Sequence, residues 1–217
     1  MRLFFTILIL ACAYIFSLAS LAVGEVYRAD DLRVKRWFSA KVKSHKVMQV
    51  DRVVARIIAN KHRYVSVDNK TQTPWYVIAV LHNMESGGSF RHHLHEGSPL
   101  SGRTRWVPKG RPKWGKPPYK WEDSAVDALA YDKMGDKRWA YLFDTLWAIQ
   151  CYNGTGYWKY HRSTPTPYIY AATTIERRGK YISDGKWSST AISKQIGAGA
   201  IIKRMEATGI INFNRLK

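Results

Sequence analysis

Cysteine and acidic side chains are the scarce components of this sequence. Cys12 and Cys151 are its 2 cysteines, and the first lies in an apolar N-terminal run, so no disulfide framework holds the rest of the chain. Cys151, inside a segment of helical periodicity, reads as a small buried hydrophobe. Neither His-Glu-x-x-His nor Cys-x-x-Cys spacing occurs, which removes the commonest zinc signatures. Strand signal is confined to short stretches at residues 64–67 and 181–182, and no internal repeat is evident, so neither an all-β fold nor a solenoid is expected. Asp and Glu total 16 against 35 Lys and Arg, a formal charge of +19. Small domains usually carry a net charge of about 2–8 in magnitude. A field this positive favours a polyanion, whether nucleic acid, anionic lipid or an anionic cell wall.

The N-terminus narrows that choice. Arg2 precedes a run from residue 3 to 23 that is apolar except for Thr6, Tyr14, Ser17 and Ser20, about the ~20 residues needed to cross a bilayer. It reads either as a signal peptide cut after Gly24, with Ala22 and Gly24 as the small residues of the site, or as a retained anchor whose Ala, Ser and Gly content makes insertion marginal. Cys12 after Leu10-Ala11 also has the look of a lipoprotein processing site, but the apolar stretch before it is too short. Either surviving reading sends the remaining chain out of the cytoplasm, where lipid and wall are met more often than nucleic acid.

The 217 residues can bury one core, or one domain with an appendage. Three regions are expected: residues 1–24 as signal or anchor, 25–70 as a basic linker and amphipathic helix, and 71–217 as a mainly α catalytic domain. Within the second, residues 25–46 read as a loose arm. Val47, Val50, Val53, Val54, Ile57 and Ile58 then recur at helical spacing, and residues 63–72 read as a polar connection. Thr73 as cap and Pro74 as first residue open an apolar helix over 73–86, which Gly87-Gly88 ends. Prolines and glycines exclude regular structure from 99 to 121, where Trp106, Trp114, Tyr119 and Trp121 alternate with arginines and lysines. So long a loop is either functional or an excursion whose aromatics pack on the core. Further helices are expected at 122–134, with Asp123 and Ser124 as cap candidates, at 138–152, from Thr166-Pro167 to about 174, and at 188–206.

Glu85 is the chief candidate for chemistry. A carboxylate presented where a buried helix opens into a loop is partly desolvated, which raises its pKa toward the value a general acid needs at neutral pH. A glutamate solvated at a helix end is the bland alternative.

Three segments taken together suggest a family. Glu85-Ser86 with Phe90 resembles the signature of goose-type lysozymes and soluble lytic transglycosylases. The run Ala148-Ile149-Gln150-Cys151-Tyr152-Asn153-Gly154-Thr155-Gly156 is similar to their "YNAGxG" segment, and Pro167-Tyr168-Ile169-Tyr170 to the tyrosine-bearing helix that follows. The resemblance covers residues 73–182, in the family's order. Segments around His95-Glu96-Gly97, Val107-Pro108 and Gly179-Lys180-Tyr181 also resemble a phage-associated lysozyme-like group. The family's "GLMQ" segment has no counterpart, and the Pro-rich loop occupies its place.

The resemblance implies a lysozyme-like helical fold that cleaves the peptidoglycan glycan strand without a cofactor. It implies Glu85 as proton donor, with Ser86, Tyr152, Asn153 and Tyr168 binding substrate or steadying the glutamate. For a second carboxylate, Glu96 is nearest in sequence and Asp184 more distant, while assistance from the sugar N-acetyl group needs neither.

Two other classes compete. His92, His93 and His95 offer ligands for a zinc-dependent wall peptidase or amidase, although His45 and Asp51 do not complete that family's pattern. The basic and aromatic loop also suits single-stranded nucleic acid, against which the export segment argues. The expectation is therefore a monomeric phage endolysin or bacterial wall enzyme, exported to the periplasm or tethered to the inner membrane, with peptidoglycan as partner and neither metal nor nucleic acid bound.

Overall fold

The computed structural model describes residues 32–183 and 185–213; the apolar N-terminal run, Cys12 and Asp184 lie outside them. The described chain is mainly α, and among its residues no helix is long and apolar enough to cross a membrane.

Helix α1 (Leu32–Ser39) replaces the expected loose arm from residue 32 onward. Its Val34 and Trp37, one turn apart, enter the same core as the later helices. Helix α2 (Val47–Ala59) follows the expected periodicity and buries Val50, Val54 and Ile57. Helix α3 (Lys61–Thr71) stands where a polar connection and a strand fragment were expected. Tyr64 and Val67, again one turn apart, are its two buried residues, so packing overrides the local β preference of Tyr-Val-Ser-Val.

Helix α4 (Trp75–Ser86) is the axis of the fold. Val77 through Leu81 are wholly buried, as befits a helix apolar on every side. Its start differs from the sequence reading. Pro74 occupies the cap position and Thr73 makes no capping bond, because the Thr73 side chain is buried. Asp68 of α3 instead accepts from the Trp75 amide at 3.0 Å. The end is as expected: Gly87, at φ +62°, donates to the Asn83 carbonyl and Gly88 to that of His82, both at 3.1 Å, so a left-handed glycine closes the helix.

Helix α5 (Trp121–Tyr131) begins on the buried Trp121, so Asp123 and Ser124 lie within its first turn rather than capping it. Helix α6 (Leu142–Tyr152) turns Leu142, Phe143, Leu146 and Ile149 inward. That register leaves Cys151 exposed, correcting the buried position expected for it. Helix α7 (Gly156–Tyr160) and helix α8 (Pro167–Tyr170) are short. The latter stops well before residue 174 because Ala171 turns extended and Ala172 takes φ +67°. An antiparallel hairpin follows, β1 (Lys180–Ser183) with β2 (Lys186–Ser188), so the last helix, α9 (Ala198–Ala207), is shorter than expected. Its N-terminus presses on α8. A Cβ on Gly197 would stand 2.5 Å from the Ile169 carbonyl oxygen, so only glycine permits this approach.

Candidate active site

Glu85 lies in the last turn of α4, where the left-handed Gly87 turns the chain away. The segment that returns after it comes close: a Cβ on Gly97, whose φ is +80°, would fall 2.6 Å from the Glu85 carbonyl oxygen. Tyr168 of α8 donates its hydroxyl to Glu85 Oε1 at 2.7 Å. Burial pushes the Glu85 carboxyl up to about 7. The Tyr168 bond opposes that rise, and the fields of Asp132 and Glu96 add to it. Among the described residues, no lysine or arginine belongs to the groups acting on Glu85. The result is a carboxyl poised between acid and carboxylate near neutrality.

The other sequence candidates take different places. Tyr152, at the end of α6, donates to the Leu94 carbonyl at 3.0 Å, so it braces the segment that packs on Glu85. Burial, then the Glu85 and Asp132 charges, push the Tyr152 phenol well up, and Tyr168 is raised likewise. Asn153 is exposed beside α6 and shares a groove wall with Tyr168. Ser86 donates its hydroxyl back to the His82 carbonyl at 3.1 Å. Glu96 is held by Ser98, whose amide lies 3.3 Å from Oε1 and whose hydroxyl also donates there.

Sequence reasoning passed over Asp132. It caps the C-terminus of α5, burial pushes its carboxyl up to about 6, and its charge acts on Glu85, Tyr152 and Tyr168 alike. Its sequence distance from Glu85 hid it, and only the fold brings the two carboxyls into one field.

The histidines serve the scaffold. His93 Nε2 donates to the Gly102 carbonyl at 2.8 Å, and its Nδ1 shares a hydrogen bond with Ser124 Oγ at 2.6 Å. His95 Nε2 meets Asp127 Oδ2 at 2.9 Å, and burial holds its pKa down, so the ring is the neutral donor. Arg111 reaches the same carboxylate with Nε at 2.9 Å and Nη2 at 2.7 Å. Among the described residues, no three His, Cys, Asp or Glu side chains gather as metal ligands.

A groove of about 610 Å³ runs past Tyr168, Asn153 and Tyr160 to the β1–β2 hairpin. Its far wall is fastened by aromatic packing: His161 stacks on Trp187 at 3.5 Å, and Tyr157 and Tyr181 close edge-on around them. Gln195 joins the wall while donating to the Met84 carbonyl at 3.0 Å. The groove therefore offers tyrosine faces, the amides of Asn153 and Gln195 and a lysine, Lys180, and its Tyr168 bonds a carboxyl of raised pKa.

Compared with protein-family models, curated proteins and solved structures, the chain matches none.

Proposed function

We propose that the protein is a peptidoglycan glycosidase, a lysozyme or lytic transglycosylase of lysozyme-like fold, in which Glu85 is the general acid. The observation that carries this reading is the Glu85 carboxyl, pushed up to about 7 by burial and held by the Tyr168 hydroxyl, which itself lines a groove of about 610 Å³. Protonated Glu85 gives its proton to the bridging oxygen as the glycosidic bond breaks, and the electron pair of that bond leaves with the oxygen. Tyr168 keeps one carboxyl oxygen occupied, directing the proton from the other. The sugar left behind has oxocarbenium character. Water attacking that centre gives hydrolysis, and the C6 hydroxyl of the same sugar gives a 1,6-anhydro product. Asp132, with its pKa near 6, is ionised at neutral pH and suited to take the proton from an attacking water.

The basic surface fits an anionic wall, and the N-terminal apolar run fits export as a signal peptide or inner-membrane anchor. A phage endolysin is the setting that joins these properties. Digestion of purified sacculi followed by mass spectrometry tests the reading. Reducing ends mean hydrolysis and 1,6-anhydro ends mean transglycosylation, whereas freed stem peptides would replace the proposal with a peptidase or amidase.

A further inference from the structure

The loop between Leu100 and Trp121 contains neither helix nor strand, yet its backbone is tied at several levels. At its base Tyr119 and Leu100 are buried, and the Tyr119 amide donates to the Leu100 carbonyl at 2.9 Å. Higher up, Arg103 Nη2 donates to the Gly115 carbonyl at 3.0 Å. At its waist the buried Thr104 donates its amide to the Arg111 carbonyl at 2.8 Å and accepts from the Arg111 amide at Oγ1, also at 2.8 Å. Arg111 then anchors the waist to Asp127.

A loop so constrained could have folded its aromatics inward, and at its base it does. At its tip it does the opposite: Trp106 is 71 % exposed, the adjacent Val107 86 % and Trp114 49 %. Arg105, Lys109, Lys113, Lys116 and Lys120 are exposed around them, and none forms an ion pair among the described residues. Between Arg103 and Lys120 the sequence has no Asp, Glu, Asn, Gln or His. A sugar-binding face needs such amides and carboxylates to grip hydroxyl groups, so this tip is poorly equipped for glycan. Indole and valine flanked by cations instead match the boundary of an anionic bilayer. There Trp settles at headgroup depth, an aliphatic side chain dips below it, and Lys and Arg meet lipid phosphates.

We propose that the tip of this loop, centred on Trp106-Val107, docks the folded domain on a membrane surface rich in anionic phospholipid. The contact is separate from the glycan groove and from the N-terminal apolar run, and it does not depend on the glycosidase reading.

The test uses the full chain and co-sedimentation with vesicles of phosphatidylglycerol and phosphatidylethanolamine, or of phosphatidylcholine alone. The N-terminal run is common to every variant, so differences among variants report the loop. The double changes Trp106→Ser with Val107→Ser, and Lys109→Glu with Lys113→Glu, alter exposed positions, and unchanged thermal melting verifies their folds. Each lysine near an anionic surface contributes about fivefold in binding. The lysine pair is therefore expected to lose at least tenfold in affinity for anionic vesicles, and the apolar pair at least fivefold. Both should digest purified sacculi at the wild-type rate. Binding to anionic vesicles that is unchanged in both variants overturns the proposal. So does a loss confined to sacculi or to single-stranded DNA, which would make the tip a glycan or nucleic-acid contact instead.

Discussion

Two acidic side chains, the half-buried Glu85 and the buried Asp127, have opposite surroundings. Asp127 is almost fully buried at the middle of α5, where Arg111 and His95 both converge on it. Glu85 is raised to about 7 and meets a phenol and the fields of two further carboxylates, with no cation acting on it among the described residues. In a chain of net charge +19, the lack of a positive partner at Glu85 is the informative property. A buried carboxylate matched by a guanidinium holds structure together. One with no cation among the described groups that act on it keeps its proton available.

The contrast breaks most sharply in catalysis. Glu85→Gln keeps size and hydrogen bonding but removes the transferable proton. Sacculus digestion should fall by ~10²–10⁴-fold, and lysis at the wild-type rate would end the assignment. The same variant reports on stability. Because the folded pKa of Glu85 is raised, its contribution is fully present below about 4.5 and is lost as pH rises through about 7. Wild-type protein should therefore lose melting temperature between pH 5 and 8 relative to Glu85→Gln, and parallel curves would mean that the carboxyl is solvated.

On the structural side, Arg111→Met leaves Asp127 buried without its cation. Removing one partner of a buried pair costs about 3–5 kcal/mol. Arg111 keeps some exposure, so the lower end is expected, read as a fall in the denaturant midpoint. A change below about 0.5 kcal/mol would show that the Arg111–Asp127 pair does not hold the structure together.

Smaller effects sharpen the site. With Glu85 required protonated near 7 and Asp132 required ionised near 6, kcat/KM for hydrolysis should follow a narrow bell with those limbs. Asp132→Asn should remove the acidic limb and slow hydrolysis by about 10²-fold, the low end for a base. An intact acidic limb in that variant excludes Asp132 as the base. The least effect is expected from Tyr168→Phe. Its hydroxyl favours the carboxylate, so its loss should move the alkaline limb upward by about one pH unit, a 1.4 kcal/mol change in ionisation. A limb that moves down would reverse the role given to that bond.

What was legible in the sequence follows from how each element is stabilised. The apolar run ending in Gly87-Gly88 marks α4 and puts Glu85 at its exit, and the valine and isoleucine spacing marks α2, because both elements carry their burial pattern locally. Helices α1 and α3 each bury only a pair of residues one turn apart, Val34 with Trp37 and Tyr64 with Val67. Their helicity is imposed by neighbours, a signal too weak to read in a polar sequence. The loop aromatics were open between core packing and solvent display, and the structure divides them: Tyr119 and Trp121 pack while Trp106 and Trp114 stand out. Asp132 and Asp127 become informative only through residues distant in sequence. Two carboxylates five positions apart, with opposite surroundings, look alike in a string of letters.

The Arg111–Asp127–His95 chain has a consequence for motion. One end grips the waist of the Pro-rich loop, and the other lies two residues before Gly97, which rests on the carbonyl of Glu85. Loop and turn have no helix between them to share their fate, yet the Asp127 carboxylate fastens both to α5. They should open as one cooperative unit. The Thr104 amide, bonded to Arg111, and the Gly97 amide, bonded to His93, are then expected to exchange their hydrogens with similar opening free energies. Arg111→Met should accelerate both amides, including the one nearest the proton donor.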